Sequence, residues 1–390
     1  MKIVFDARCI DARASGASVY VRELLRRLPV LAPEWSWLIL FHDAETRRSV
    51  LADALPGNHP NVSTEILPYR FSSLIGKAKL VKILIKAKCD LYFSPIVANS
   101  ILALGGFKGI CGASVVAVQA NVERDTKNLF WRFIKRHCLM RATSSCTAII
   151  AASQTLRDDI VQQLSLSEKS ASRLKVVYAG VSKAFSPSPA PAPAGKTKVV
   201  LYVGNQRHYK NLDSLVRAFA ALRHRQGDRL HLLLIGPEGS NSASIRKLVR
   251  NLGLGDHVTF AGESTECELA AAYRESSLFV SPSSYEGFSL PLLEAMASGT
   301  PIVCCKGGAQ SEIVGSATST LPAGDVQALC EAMERMLTDD ALRAKSVKAG
   351  LERAASFSWD RTAAETLAIF REAVAGGRNT TNVKTEMAQQ

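Results

Sequence analysis

The sequence predicts an α/β protein made of two halves, each a mostly parallel sheet covered by helices. Three observations predict it. Short apolar runs of strand length alternate with longer segments of helical periodicity, the pattern of parallel strands joined by helical crossovers. The alternation runs twice, on either side of "SPSPAPAPAGK" (Ser186 to Lys196), a proline- and alanine-rich stretch that cannot build a helix interior and reads as a linker. The chain has 390 residues, more than a single core usually supports.

In order, "KIVFDA" reads as a buried strand and Ser18 to Ala32 as a helix. "SWLILFH", "DLYFSP", "SVVAVQ" and "CTAIIAAS" read as further strands. After the linker, "KVVLYVGN" restarts the pattern, followed by the helix "NLDSLVRAFAALRHRQ", "LHLLLIGP", a helix over Ser242 to Leu252, "HVTFAG", a helix to Glu275, "SLFVSPS" and "PIVCC". Adjacent Cys304 and Cys305 fall in that last buried strand. "FSWDRTAAETLAIFREAV" (Phe357 to Val374) is an amphipathic helix, and the polar stretch beyond it reads as disordered. The organisation expected is an N-terminal domain over 1–185, a linker over 186–197, a C-terminal domain over 198–356, a helix over 357–375 and a tail over 376–390.

Composition narrows the class. No run of about 20 uncharged apolar residues occurs, and Asp6 and Arg8 interrupt what would be a signal-peptide core. Nine cysteines form no C-x-x-C pair or Cys/His cluster, which fits free thiols in a reducing, cytoplasmic setting. The net charge is +13. Residues 1–190 hold 26 Lys and Arg against 14 Asp and Glu, and the rest hold 22 against 21, so the excess lies in the first half. Phe71 to Cys89 and Lys127 to Arg141 interleave apolar and basic residues at helical spacing. Such helices either pack one stripe on a core or lie on an anionic membrane surface, and both hold if packing leaves a cationic face.

The chemistry points to "SLFVSPSSYEGFSLPLLEAMASGTPIV". A strand ends near Ser281, a loop runs through Gly287, and a helix begins with Ser289 as N-cap and Pro291 in its first turn, stopping at Gly299. The backbone N–H groups of Phe288, Ser289 and Leu290 at that helix start suit a diphosphate. Glu286 stands before the loop and Glu294 one turn into the helix. Paired acids of a glycoside hydrolase flank one bond, whereas these two reach different points. Carboxylates accept from hydroxyls, so the fitting ligand is a polyol with a phosphate between its parts, the form of a nucleotide sugar.

This segment resembles the Glu-x7-Glu motif of the GT-B retaining glycosyltransferases, in particular family 4. "YVGNQRHYKNL", "VVYAGVSKAF" and "FSWDRTAAETL" resemble further stretches of that family. The resemblance implies a GT-B fold: two Rossmann-like domains with a cleft between them, and a C-terminal helix that crosses back to the N-terminal domain. It implies that Glu294 binds the ribose hydroxyls and Glu286 those of the donor sugar. Lys210 would neutralise the diphosphate with Arg207 as second cation, beside Gly204 and Asn205, the latter standing where relatives often have arginine. Gly16 resembles the family's glycine loop after the first strand, although Ala17-Ser18 replaces its second glycine. Gln119 stands where many relatives carry histidine; it hydrogen-bonds a sugar hydroxyl but takes up no proton, which a front-face displacement tolerates.

The opening "FDARCIDARASGASVYVRELLRRL" is similar to mannosyltransferases of polysaccharide and lipopolysaccharide pathways. The expected activity is transfer of a sugar, mannose first, from a nucleotide sugar to a glycan or lipid-linked acceptor. GDP-mannose is the expected donor, with a UDP-sugar possible. The donor is a substrate, and no cofactor or metal is expected. A catalytically silent relative serving as a nucleotide- or partner-binding scaffold is the alternative. A dinucleotide oxidoreductase lacks G-x-G-x-x-G after any strand, and the basic helices match no nucleic-acid motif.

Overall fold

The computed structural model describes residues 1–10, 16–57, 59–69, 73–96, 110–119, 129–188, 197–227 and 229–387, with the side chains of 129–132, 135 and 377–387 excepted. Most of the expected linker, 189–196, and residues 11–15 lie outside the described residues. The chain divides into two compact units, Met1–Ala179 with Trp359–Gln390, and Gly180–Ser358.

The first unit runs β1 (Lys2–Asp6), α1 (Gly16–Leu31), β2 (Ser36–Phe41), α2 (Ala44–Ala54), β3 (Val62–Ile66), α3 (Leu74–Ala87), β4 (Leu91–Ser94), β5 (Ala113–Val118), α4 (Leu129–Ser145), β6 (Ala148–Ala151), α5 (Gln154–Gln163), α6 (Glu168–Ala171) and β7 (Leu174–Val176). Its strands form one sheet in the order 3-2-1-4-5-6-7, parallel throughout. β1, β4, β5 and β6 read as continuous apolar runs because helices cover both faces of a parallel sheet. Side-chain caps fix several helix starts: Asp43 accepts from Thr46 N–H at α2 and Ser73 from Gly76 N–H at α3.

The second unit runs β8 (Lys198–Val203), α7 (Leu212–Gln226), β9 (Leu230–Ile235), α8 (Ser242–Asn251), β10 (Val258–Gly262), α9 (Glu266–Glu275), β11 (Leu278–Ser281), α10 (Leu290–Ala297), β12 (Ile302–Lys306), α11 (Gln310–Val314), β13 (Thr320–Pro322), α12 (Val326–Thr338) and α13 (Asp340–Ala354). The strand order is 10-9-8-11-12-13, again parallel. Its core gathers Val200, Tyr202, Phe219, Leu232, Leu278 and Met333, among others. Cys304 and Cys305 are buried in β12, as the sequence predicts.

The last helix, α14 (Trp359–Met387), returns to the first unit. Phe370 packs on Phe93 of β4 with ring centroids 5.0 Å apart. Thr362 donates to the Tyr178 carbonyl at 2.7 Å, and Arg27 of α1 donates to Asp360 at 2.6 Å. The helical backbone continues to Met387, past Gly376, where composition alone predicts disorder. Extending a helix already nucleated by its packed turns costs little per residue. Among the described residues, no helix is long and apolar enough to cross a membrane.

The sequence reading misses β3, β7 and β13. All three are edge strands. β3 is VSTEI, half-exposed along its length, and β7 and β13 have three residues each. A strand covered on one side alone needs no apolar run, and a three-residue strand carries no periodicity.

Candidate active site

In the second sheet β8 and β11 lie side by side, while β9 flanks β8 outward and β12 flanks β11 on the other side. The chain therefore leaves these two neighbours in opposite directions. In open parallel sheets, ligands bind outside the carboxyl ends of the strands at such a point. The loops after β8 and β11 carry most of the residues the motifs select.

Glycines let the loop after β8 approach its neighbours. Gly204 follows β8, and a Cβ on Gly236 would stand 2.3 Å from the Gly204 carbonyl oxygen, so no larger residue fits there without displacing backbone. Tyr202 donates its hydroxyl to the Asn205 carbonyl at 2.8 Å. The Gln206 carbonyl accepts from Asn241 N–H at 3.0 Å. Arg207 is exposed and leads into a single 3-10 turn, His208–Lys210, which delivers Lys210 inward.

The loop after β11 is tied to that turn. Ser284 donates both its N–H, at 2.9 Å, and its hydroxyl, at 3.0 Å, to the Tyr209 carbonyl. Asn211 Nδ2 donates to the Pro282 carbonyl at 3.2 Å. Across this junction Lys210 Nζ meets Glu286 Oε1 at 2.6 Å. Burial alone pulls the Lys210 pKa down; the attraction of Glu286, then of Tyr209 and Tyr202, overrides it and leaves it raised. The ammonium is a fixed charge.

Glu286 is also held through its backbone. Its N–H donates to the Gly307 carbonyl at 3.3 Å, and its carbonyl accepts from Ala309 N–H at 2.8 Å. Gly308 has φ of +58°, and a Cβ there would stand 2.1 Å from the Glu286 carbonyl oxygen. Gln310, fully buried, donates to the Ser283 carbonyl at 2.8 Å and accepts from the Ser281 hydroxyl at 2.6 Å. The motifs did not select Gln310 or Gly308. A glycine pair after β12 was their only trace in the sequence.

Glu294, on the second turn of α10, faces elsewhere. It is 9 % exposed and accepts from the Tyr273 hydroxyl of α9 at 2.9 Å. Burial pushes its pKa up to about 7, with the Tyr273 bond opposing and the charge of Glu266 adding. Nothing in the sequence singled out Tyr273. The two carboxylates thus keep different partners, Glu286 a cation and Glu294 a phenol.

Between them, Gly287 and Phe288 are buried, and the Phe288 ring packs edge-on against Phe357 at 6.0 Å. Ser289 precedes α10, with Leu290 as its first residue and Pro291 following. Ser289 is not the side-chain cap that its sequence position predicts. It makes no capping hydrogen bond and adopts φ of 83° and ψ of 72°, because the loop must turn sharply between the fixed Glu286 and the start of α10. A non-glycine residue in this region is strained.

Gly16 and Gln119 lie in the first unit. Gly16 is the exposed first residue of α1, and Gln119 directly follows β5 and is half-buried. The first sheet has its own reversal point between β1 and β4. There, Arg8 grips Asp6 through two bonds of 2.7 and 2.6 Å, and Tyr92 of β4 donates to Asp6 at 2.7 Å. All three are almost fully buried, which anchors the chain where it leaves β1. Among the described residues, no group of histidine, cysteine or carboxylate side chains could hold a metal ion.

The family described as glycosyl transferases group 1 matches residues 188–353. The D-inositol 3-phosphate glycosyltransferase 1 of Catenulispora acidiphila is 33 % identical over 60 % of this chain, and the matched stretch is 60 % of that protein's own length. The O-antigen chain mannosyltransferase B of Escherichia coli is 26 % identical over 95 % of this chain and its own full length. Anabaena HepE, solved in complex with UDP and glucose, superposes with a TM-score of 0.75 at 19 % identity, covering 94 % of this chain and 99 % of its own. Residues 188–353 are thus similar to the glycosyl transferases group 1, and the two parallel-sheet units have the GT-B fold of the structures they superpose on.

Proposed function

We propose that the chain is a retaining glycosyltransferase that moves a sugar from a nucleotide-sugar donor to a hydroxyl of a glycan or lipid-linked acceptor. The observation that carries this reading is the Lys210–Glu286 pair, set at the reversal point of the second sheet beside the start of α10. The O-antigen mannosyltransferase likeness over 95 % of the chain favours mannose, from GDP-mannose, and cell-surface polysaccharide or lipopolysaccharide as the product class. A UDP-sugar is the second donor to test, since Anabaena HepE was solved with UDP.

In this reading the second unit holds the donor. Glu294 accepts from the ribose hydroxyls and Glu286 from those of the sugar. Lys210, Arg207 and the N–H groups of Phe288, Ser289 and Leu290 face the diphosphate, with Gly204 and Asn205 lining the approach. As the bond from the anomeric carbon to the phosphate oxygen breaks, its electron pair stays on the diphosphate, and these fixed positive groups stabilise that charge. The acceptor oxygen bonds to the same face of the anomeric carbon, and its proton passes to the leaving phosphate oxygen. Products are the glycoside and a nucleoside diphosphate.

Gly16 and Gln119, carried by the first unit, also serve the donor, Gln119 by hydrogen-bonding a sugar hydroxyl without taking up a proton. The basic first half suits an acidic or lipid-linked acceptor at an anionic membrane surface, where the protein would act peripherally on the cytoplasmic side.

The test is incubation of the full chain with GDP-mannose, UDP-glucose and related donors, following release of the nucleoside diphosphate. Slow hydrolysis of at least one donor is expected even without acceptor. Neither turnover nor saturable binding with any donor would reject the enzyme reading.

A further inference from the structure

Helix α3 carries two apolar rows, and the described residues of its own unit cover only one of them. Gly76, Leu80, Ile83, Leu84 and Ala87 form the buried row. Leu74, Ala78, Val81 and Ile85 recur at steps of four, three and four and so share another face. Leu74 and Ile85 are 73 % and 58 % exposed, Ala78 is exposed, and Val81 is half-buried.

Lysines border this outer row on both sides. Lys79, Lys82 and Lys86, all exposed, run along one flank, and Lys77 and Lys88 along the other. No acidic residue interrupts Phe71 to Cys89. Beyond the three-lysine flank, the helix faces segment 65–69 across an open groove of about 330 Å³, lined by Glu65, Leu67, Tyr69 and those lysines. Lys79 Nζ donates to the Tyr69 hydroxyl at 2.6 Å. Glu65 brings one negative charge against three positive ones.

We propose that α3 seats the protein on an anionic bilayer. The row Leu74, Ala78, Val81 and Ile85 enters the interfacial layer, and a lipid phosphate occupies the groove between Lys79, Lys82 and Lys86. Two features favour a bilayer as the occupant. Lysines on both sides of a solvent-facing apolar row can lay their methylene stems along lipid while their ammoniums stay at headgroup level. The absence of any acid on the helix suits a surface of one sign. This rests on the reading of an acceptor at a membrane and names the contact that would hold the protein there.

The experiment is co-sedimentation of the full chain with phosphatidylglycerol-containing vesicles and with pure phosphatidylcholine vesicles. Binding to the anionic vesicles alone is expected, weakening as salt rises. Lys82→Glu/Lys86→Glu and Leu74→Ser/Ile85→Ser should each weaken it by about tenfold or more, the first by charge and the second by lost insertion. Circular dichroism confirms that each variant is folded.

Equal binding to both vesicle types, no binding, or wild-type binding by either folded variant overturns the proposal. So does complete displacement by millimolar glycerol phosphate, which would mark a site for a free anion. Donor hydrolysis by both variants should match the parent protein. Loss of vesicle binding with hydrolysis intact defines the contact, whereas intact vesicle binding without hydrolysis of any donor rejects the enzyme reading alone.

Discussion

Lys210 Nζ lies 2.6 Å from Glu286 Oε1 with both side chains about nine-tenths buried, so the loops after two neighbouring strands are joined by one shielded ion pair. A pair of this kind is weak evidence of stability, yet removing one partner strands the other charge. Lys210→Met is therefore expected to destabilise the protein by roughly 3–5 kcal/mol, and Lys210→Met/Glu286→Leu by clearly less. Urea unfolding of the two singles and the double checks this. Additive single effects would show that the two charges do not depend on each other. In the proposed reaction Lys210→Met also removes a fixed charge facing the leaving group, and kcat should fall by about a hundredfold or more.

The Glu294 carboxyl gives a dependence on pH with a definite sign. Its folded pKa of about 7 stands above the usual carboxylate value, so between about 4.5 and 7 the folded chain holds a proton that the unfolded chain has released. Stability from this group is accordingly full below that window and falls as pH rises through it, by about 3 kcal/mol at most. Urea midpoints measured from pH 4 to 8 should show a steeper decline for the parent than for Glu294→Gln. Identical slopes would remove Glu294 as the cause.

The same group sets a second expectation if it accepts from ribose hydroxyls. Only the ionised carboxylate accepts at both oxygens, so nucleoside diphosphate affinity should rise between pH 6 and 8 and level off above the folded pKa. Glu294→Gln should flatten that rise. Calorimetric titration at a few pH values decides it, and a parent affinity independent of pH would count against the ribose role.

Gly308→Ala isolates the backbone support of Glu286. The new Cβ would lie 2.1 Å from the Glu286 carbonyl oxygen at a φ of +58°, so the strand-like contact with residues 307–309 has to open. A loss of roughly 2–3 kcal/mol and a marked fall in turnover are expected. Gly324→Ala is the control, since it shares a positive φ but meets nothing within 4 Å. It should cost about 1 kcal/mol and leave turnover unchanged. Equal losses in the two would attribute the effect to backbone strain alone.

Sequence legibility followed burial. β1, β8, β11 and β12 are covered on both faces and announce themselves as apolar runs, and the glycine, proline and paired glutamates after β11 mark a loop that opens a helix. What joins the site was hidden. Tyr273 of α9 and Gln310 of α11 look like ordinary helical residues until the sheet brings them against Glu294 and the β11 loop. Their partners lie 21 and 27 residues away, and no local pattern encodes a hydrogen bond across that separation.

Ser289 tests a local rule the structure broke. As a side-chain cap it would lose roughly 1 kcal/mol on replacement by alanine. Its hydroxyl caps nothing, and its backbone sits at φ of 83°, so the two replacements should separate. Ser289→Ala is expected to change stability by less than about 0.5 kcal/mol, because both residues bear the same left-handed strain. Ser289→Gly should stabilise by about 1 kcal/mol, since glycine adopts that backbone without a Cβ penalty. Thermal unfolding of the parent and both variants suffices. A loss of about 1 kcal/mol in Ser289→Ala would restore the capping role, whereas alanine near neutral with glycine stabilising means that the hydroxyl adds nothing to helix stability and the backbone carries the strain.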